Sequence, residues 1–146
     1  MSNYTRWNLF RTVVTCGVFV AFFLVWLHFY DLKHINRTTG QEMEKTESIT
    51  KDYQELNKEW FKNKLSSNIV IGVFHNPGVI AETSKQGDTF VIVFNPEYNK
   101  TPVQTELTLF HEMCHIETWG EFTKHGKQWE ACMHRLAMEG AFDTLW

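Results

Sequence analysis

Cysteine is scarce in this sequence, and the spacing of the cysteines excludes one class of metal module. The 3 cysteines are at positions 16, 114 and 132, and no two of them form a Cys-x-x-Cys pair. A zinc ribbon requires such pairs, so this class of module is excluded. For the same reason the sequence predicts no disulfide framework.

The chain also lacks any run of basic residues. From residue 38 onward there are 16 Asp and Glu against 10 Lys and Arg. A domain that binds duplex DNA by itself usually has a basic face. Intrinsic nucleic-acid binding is therefore not supported by the composition.

Charge is missing altogether from residues 12–30, TVVTCGVFVAFFLVWLHFY. As a helix this run would be about 28 Å long, which is close to the thickness of the hydrocarbon core of a bilayer. Aromatic residues at both ends suit the membrane–water interface. The following DLKHINR has no small-residue cleavage site, which argues against a cleaved signal peptide. The run predicts a single-pass transmembrane helix, and a buried core helix is the alternative.

This helix would divide the chain into four parts. They are an N-terminal tail at 1–11, the transmembrane helix at 12–30, a polar linker at 31–40 and a domain at 41–146. Basic residues flank the apolar run on both sides, so the positive-inside rule does not determine which side of the membrane the domain occupies.

The domain contains both helical and strand patterns, which predicts an α+β fold. Apolar residues recurring every three or four positions predict a helix over about 41–65. Three segments rich in β-branched and apolar residues follow, at 68–75, 79–85 and 89–94, and turn residues separate them. The short connections predict a three-stranded antiparallel sheet packed on helices.

The clearest helix signal follows the third predicted strand. Thr101 is suited to the N-cap, Pro102 to the first helical position, and Gln104 completes a capping box. Gly120 is a natural end to this helix, and a final helix is predicted to begin near Gly126.

The sequence HEMCH, residues 111–115 within that helix, contains candidate metal ligands and a carboxylate between them. His111 and His115 are four residues apart, so on a helix their imidazoles lie on one face, one turn apart, where they can share a metal ion. Glu112 lies between them on a largely apolar helix. A buried carboxylate is costly without a partner, and a divalent metal with its bound water removes that cost.

Two histidines do not complete a zinc site, so a third ligand is needed. The pattern His-Glu-x-x-His-x-x-Gly-x-x-His would require histidine at position 121, where the chain has Glu121. Chemistry favours His125, because it follows the Gly120 break and precedes Gly126, which allows close backbone approach. Four downstream residues remain as candidates on sequence alone: His125, Glu130, His134 and Glu139.

Residues 53–136 resemble the SprT-like metalloprotease family, which includes the Spartan-type protease domains. Four segments match family features in order: YQELNKEWFKNKL, TFVIVFNPE, LTLFHEMCH and HGKQWEACMHRL. They resemble the opening helix, the strand before the motif, the motif itself and the segment that carries the third ligand. The resemblance implies a zincin-like fold in which His111, His115 and His125 bind Zn²⁺ and Glu112 is the catalytic base.

The implied function is a zinc metalloprotease that hydrolyses peptide bonds of protein substrates, using a zinc-bound water and Glu112 as general base. The strand at 89–94 is expected to pair with an extended substrate. The resemblance favours a cytoplasmic domain, tethered to the membrane by residues 12–30, and is compatible with DNA-associated substrates. The repair of DNA–protein crosslinks is not carried over. The alternative is a membrane-tethered, zinc-stabilised interaction module without turnover, which would not need Glu112.

Overall fold

The computed structural model describes residues 40–145. The predicted tail and transmembrane helix, and all of the predicted linker except its last residue, lie outside the described residues. None of the helices within 40–145 combines the length and the apolar character needed to cross a membrane. The chain divides into two units, Met1–Gln41 and Glu42–Trp146, and the elements that build the candidate site belong to the second.

The described residues contain three helices and one three-stranded sheet, which confirms the predicted α+β fold. In chain order the elements are α1 (residues 40–60), β1 (Ile69–Val73), β2 (Ala81–Gln86), β3 (Thr89–Phe94), α2 (Pro102–Glu117) and α3 (Lys127–Met138).

Helix α1 ends five residues before the predicted end at residue 65. The backbone of Lys62 and Asn63 adopts positive φ angles of 56° and 57°, which a helix does not allow. The buried Asn57 amide then holds the chain, because its Nδ2 donates to Leu65 O and its Oδ1 accepts from Leu65 N, each at 3.2 Å. The apolar pattern continues beyond the helix because Leu65 is buried in the core as part of the turn.

The sheet is mixed, so the predicted antiparallel arrangement is wrong. The strand order is β1-β3-β2, with β3 antiparallel to β2 and parallel to β1. A two-residue turn joins β2 to β3, whereas seven residues, 74–80, join β1 to β2. The longer connection allows β2 to lie one position away from β1 in the sheet, so that β3 occupies the position between β1 and β2. The side chain of Asn95 stabilises this connection by donating to Asn76 O at 2.8 Å and to Val79 O at 3.0 Å.

The central position of β3 follows from its composition. Its sequence, TFVIVF, alternates between half-buried and buried residues, and contains no charge. A strand with neighbours on both edges is shielded more fully than an edge strand, so the most apolar strand is best placed in the middle. Phe90, Ile92 and Phe94 are buried in the core that the sheet shares with the helices.

Helix α2 contributes the most deeply buried helical side chains. Leu109, Phe110 and Met113 are fully buried, together with Tyr53 of α1 and Leu136 of α3. Burial of each such side chain contributes about 1.5–3 kcal/mol to stability. Because packing surrounds α2, its orientation is tightly restrained, and with it the direction of the histidines it carries.

One disulfide is present among the described residues, and the sequence did not predict it. Cys114 of α2 is bonded to Cys132 of α3, with their Cα atoms 5.8 Å apart and 18 residues between them in sequence number. The predicted absence of a disulfide framework did not anticipate this single bond, because the pairing depends on which faces of α2 and α3 meet. Cysteine spacing along the chain does not contain that information.

Candidate metal centre and catalytic site

The start of α2 fixes which way its functional side chains point. Gln104 N donates to Thr101 Oγ1 at 3.2 Å, and Thr101 N donates to Gln104 Oε1 at 3.1 Å. This confirms the predicted capping box with Pro102 at the first helical position. The helix ends at Glu117, and Gly120 follows with a φ of 100°, so the predicted break is present.

The structure brings together the three histidines named by the sequence. Nε2 of His111 lies 3.2 Å from Nε2 of His115 and 3.1 Å from Nε2 of His125. His111 and His115 are half-buried, and His125 is exposed. Their ring nitrogens therefore converge on one point that remains accessible from solvent.

The other candidate ligands do not join this cluster. Glu139 instead pairs with Arg135 at 3.3 Å. Among the described residues, neither Glu130 nor His134 belongs to a group of side chains that converges on a metal position.

Two residues hold His125 in place beyond the end of α2. Gly126 is the N-cap of α3 and has no side chain with which to cap it. A Cβ atom at Gly126 would overlap the present positions of the Glu121 and Thr123 side chains, so the glycine allows their close approach. The Glu121 carboxylate caps the helix instead, accepting from Gln128 N at 3.0 Å and from Trp129 N at 3.2 Å.

Sequence reasoning missed this role of Glu121. Its carboxylate also complements the positive end of the α3 dipole. Glu121 lies six residues before the first residue of α3, outside the local spacing of a capping box, so no sequence signal pointed to it. In the sequence Glu121 is distinguished only by occupying a position where a related metal-binding pattern has histidine.

Trp129 forms a wall behind the three histidines. Its ring centroid lies 4.7 Å from that of His111, 5.7 Å from that of His115 and 4.5 Å from that of His125. Its indole Nε1 donates to the backbone carbonyl of His111 at 3.3 Å. The indole therefore restricts the rotation of all three imidazoles.

The donor set fits a zinc ion. An in-plane ring nitrogen carries either one proton or one lone pair, so Nε2 of His111 is unable to form hydrogen bonds to both neighbours at once. A cation that accepts a lone pair from each ring removes this conflict. Tetrahedral zinc with bonds of 2.0–2.1 Å would separate its nitrogen ligands by about 3.3 Å, close to the observed spacing.

The electrostatics keep the imidazoles of His111 and His115 neutral, as metal ligands must be. Burial lowers the pKa of His111 to about 4, and the nearby His115 and His125 act in the same direction. The pKa of His115 is also lowered, first by burial and then by His125 and Lys124. At neutral pH both rings therefore present lone pairs.

Glu112 lies beside the histidines but points to the sheet. Its side chain is only 4% exposed, and its Oε2 accepts a hydrogen bond from Thr83 Oγ1 of β2 at 2.7 Å. Burial raises the pKa of Glu112 to about 7, while the Thr83 hydrogen bond opposes the shift, Glu82 adds to it and Lys124 opposes it. A carboxyl group with a pKa near neutrality is suited to accepting and returning a proton.

An open cavity of about 420 Å³ lies over the histidines and Glu112. One wall is formed by residues 81–83 of β2, and the opposite wall by the loop at 118–125. This arrangement corrects the predicted substrate strand. β3, at 89–94, has a strand on each side, whereas β2 forms the edge of the described sheet and borders the cavity.

Within residues 40–145 the outer edge of β2 has no partner strand, so it presents backbone groups next to the cavity. Asn95 N donates to Ile80 O at 2.9 Å, immediately before β2 begins. Because bonded and non-bonded pairs alternate along an antiparallel ladder, even-numbered β2 residues bond to β3. The N–H and C=O groups of odd-numbered residues, including Thr83, point away from β3.

Comparison with models of protein families matches residues 49–144 to the SprT-like family. The matched range contains the whole sheet, α2, α3 and every side chain of the candidate site, and it confirms the resemblance seen in residues 53–136. Searches of curated proteins and of solved structures give no match.

Proposed function

Because the chain belongs to the SprT-like family, we propose that residues 41–146 form a zinc metallopeptidase domain that hydrolyses peptide bonds of protein substrates. His111, His115 and His125 are the proposed zinc ligands, and Glu112 is the proposed general base. The observation that carries this proposal is the convergence of three Nε2 atoms beside a buried carboxylate in one open cavity.

The side chains divide the chemistry between them. The three imidazoles would hold zinc with one coordination position free, and zinc, when bound, lowers the pKa of water and polarises a carbonyl group. Glu112 accepts the proton of the attacking water and returns it to the leaving amine. In the metal-free protein burial raises the pKa of Glu112 to about 7, so desolvation favours uptake of a proton by this carboxylate.

The substrate is proposed to bind as an extended strand along β2. The N–H and C=O groups that point outward from this edge pair with backbone, so they bind a polypeptide without requiring a particular sequence. The Thr83 side chain reaches Glu112, so the paired substrate backbone passes directly beside the base. The cavity between β2 and the 118–125 loop then receives the scissile bond.

The membrane tether at residues 12–30 and a cytoplasmic position for the domain are further proposals that rest on the sequence. Full-length protein should remain with membranes after washing at high salt and alkaline pH. Protease protection in intact and opened vesicles would then report which side the domain occupies. Release of the full-length chain by the wash would overturn the tether.

The activity is tested by removing and restoring the metal. Purified protein should cleave an unfolded polypeptide, lose this activity with a chelator and regain it with one equivalent of zinc. Glu130→Gln is the matched control, since it removes an exposed carboxylate of α3 outside the cavity. Full zinc binding without cleavage of any unfolded polypeptide would contradict the proposal and favour the zinc-stabilised interaction module.

A further inference from the structure

The Glu112 carboxylate is anchored from the sheet, across the gap between two elements. Thr83 Oγ1 donates to Glu112 Oε2 at 2.7 Å, and no other donor contacts this carboxylate within residues 40–145. Among the described residues Oε1 therefore has no donor, while Glu112 lines the cavity. One oxygen is held, and the other is free to exchange a proton.

The side chain and the backbone of Thr83 face different parts of the site. Its side chain faces α2, because its β3 partner is Ile92, a residue buried in the shared core. Its backbone N–H and C=O face the open edge of β2. A β-branched side chain has restricted χ1 rotation, so the hydroxyl is held in a fixed direction relative to that backbone.

We propose that Thr83 is a positioning residue for the base: its hydroxyl orients the Glu112 carboxylate towards the substrate that pairs with β2. This inference rests on the proposed function of the site. A glutamate side chain samples several rotamers when it is not held, and misplacement of a reacting group by about 1 Å is enough to reduce a rate about 100-fold.

The roles of the Thr83 side chain and of the Thr83 backbone can be tested separately. Replacing the hydroxyl of Thr83 with a methyl group leaves the backbone of β2 unchanged, so substrate binding is retained. The Thr83→Val variant should therefore lower kcat about 10–100-fold, with KM and zinc content within about twofold of wild type. Thr83→Ser restores the hydroxyl and should recover most of kcat.

Thr89→Val is the matched control. It also removes one strand hydroxyl and one hydrogen bond, from Asn68 Nδ2 at 2.9 Å, but Thr89 lies outside the cavity. It should retain wild-type kcat. Thr83→Ala replaces the valine variant if thermal unfolding shows that the valine variant is not folded.

A double variant tests whether Thr83 acts through Glu112. With Glu112→Gln already present, adding Thr83→Val should cause no further loss of the residual rate. The inference is overturned if Thr83→Val keeps wild-type kcat, if Thr83→Ser fails to recover it, or if the two losses multiply. If wild-type protein binds zinc but does not cleave, the proposed function itself fails, which is distinct from an active wild type with an equally active Thr83→Val variant.

Discussion

In the metal-free protein, replacing Glu112 with glutamine should remove a pH-dependent loss of stability. Glu112 is almost completely buried, and its pKa is raised from 4.5 to about 7 in the folded state. Between these two values the folded state binds more protons than the unfolded state, so stability falls as pH rises. Raising the pKa from 4.5 to about 7 corresponds to about 3 kcal/mol, lost progressively from pH 4.5 to just above pH 7.

His111 contributes a pH dependence of stability that has the opposite sign. This contribution cancels when wild type is compared with Glu112→Gln. Its pKa is lowered to about 4, so the unfolded state binds more protons between pH 4 and 6.5, and stability rises with pH there. Both proteins contain His111, so the difference between wild type and Glu112→Gln isolates the carboxylate.

The assay is urea denaturation in the presence of a chelator at pH 5, 6, 7 and 8. Relative to wild type, Glu112→Gln should become more stable by about 2.5 kcal/mol between pH 5 and pH 8, because part of the full change lies outside this range. With zinc bound, the trend should shrink, because a nearby cation favours the ionised carboxylate. A stability difference that stays constant across this pH range would refute the assignment of Glu112 as a desolvated acid beside the metal position.

Three further predictions concern the parts of the molecule that hold the site together. His125→Ala should weaken zinc binding by more than about 100-fold, which exceeds the usual cost of losing a residue that only hydrogen-bonds to a ligand. Glu130→Ala should bind one zinc normally. The reverse result in metal titrations would favour a glutamate ligand. Glu121→Ala should weaken zinc binding by about 10-fold without abolishing it, because it removes the cap that holds His125; unchanged affinity would show that the turn is fixed by other contacts. Reduction of the Cys114–Cys132 disulfide should lower the free energy of unfolding by about 3 kcal/mol, given the 18-residue separation, and the double alanine variant should show no response to reductant in the same denaturation experiment.

The features that the sequence predicts correctly are those encoded by neighbouring residues. Thr101, Pro102 and Gln104 define the start of α2. The helical repeat then places His111 and His115 on one face. The third ligand was open between four residues on sequence alone. Of these four, the structure places only His125 near the other two histidines, because the loop that follows Gly120 returns the chain to α2.

The features that the sequence does not predict depend on contacts between distant elements. The place of β3 between β1 and β2 depends on the path of residues 74–80, and the alternation within each strand is the same in either strand order. The Thr83 hydrogen bond spans 29 residues. Thr83 therefore resembles any other strand threonine until the sheet and α2 are assembled.

The most direct test of the proposed catalytic site is to measure bound zinc and the cleavage rate on one purified sample of Glu112→Gln. The site predicts one zinc per chain, because Glu112 points to Thr83 and is not part of the converging histidine group. It also predicts that cleavage of an unfolded polypeptide falls about 10²–10⁴-fold, the loss expected when a general base is removed. A variant that retains wild-type cleavage, or one that loses its zinc together with its activity, would contradict the separation of base from ligands.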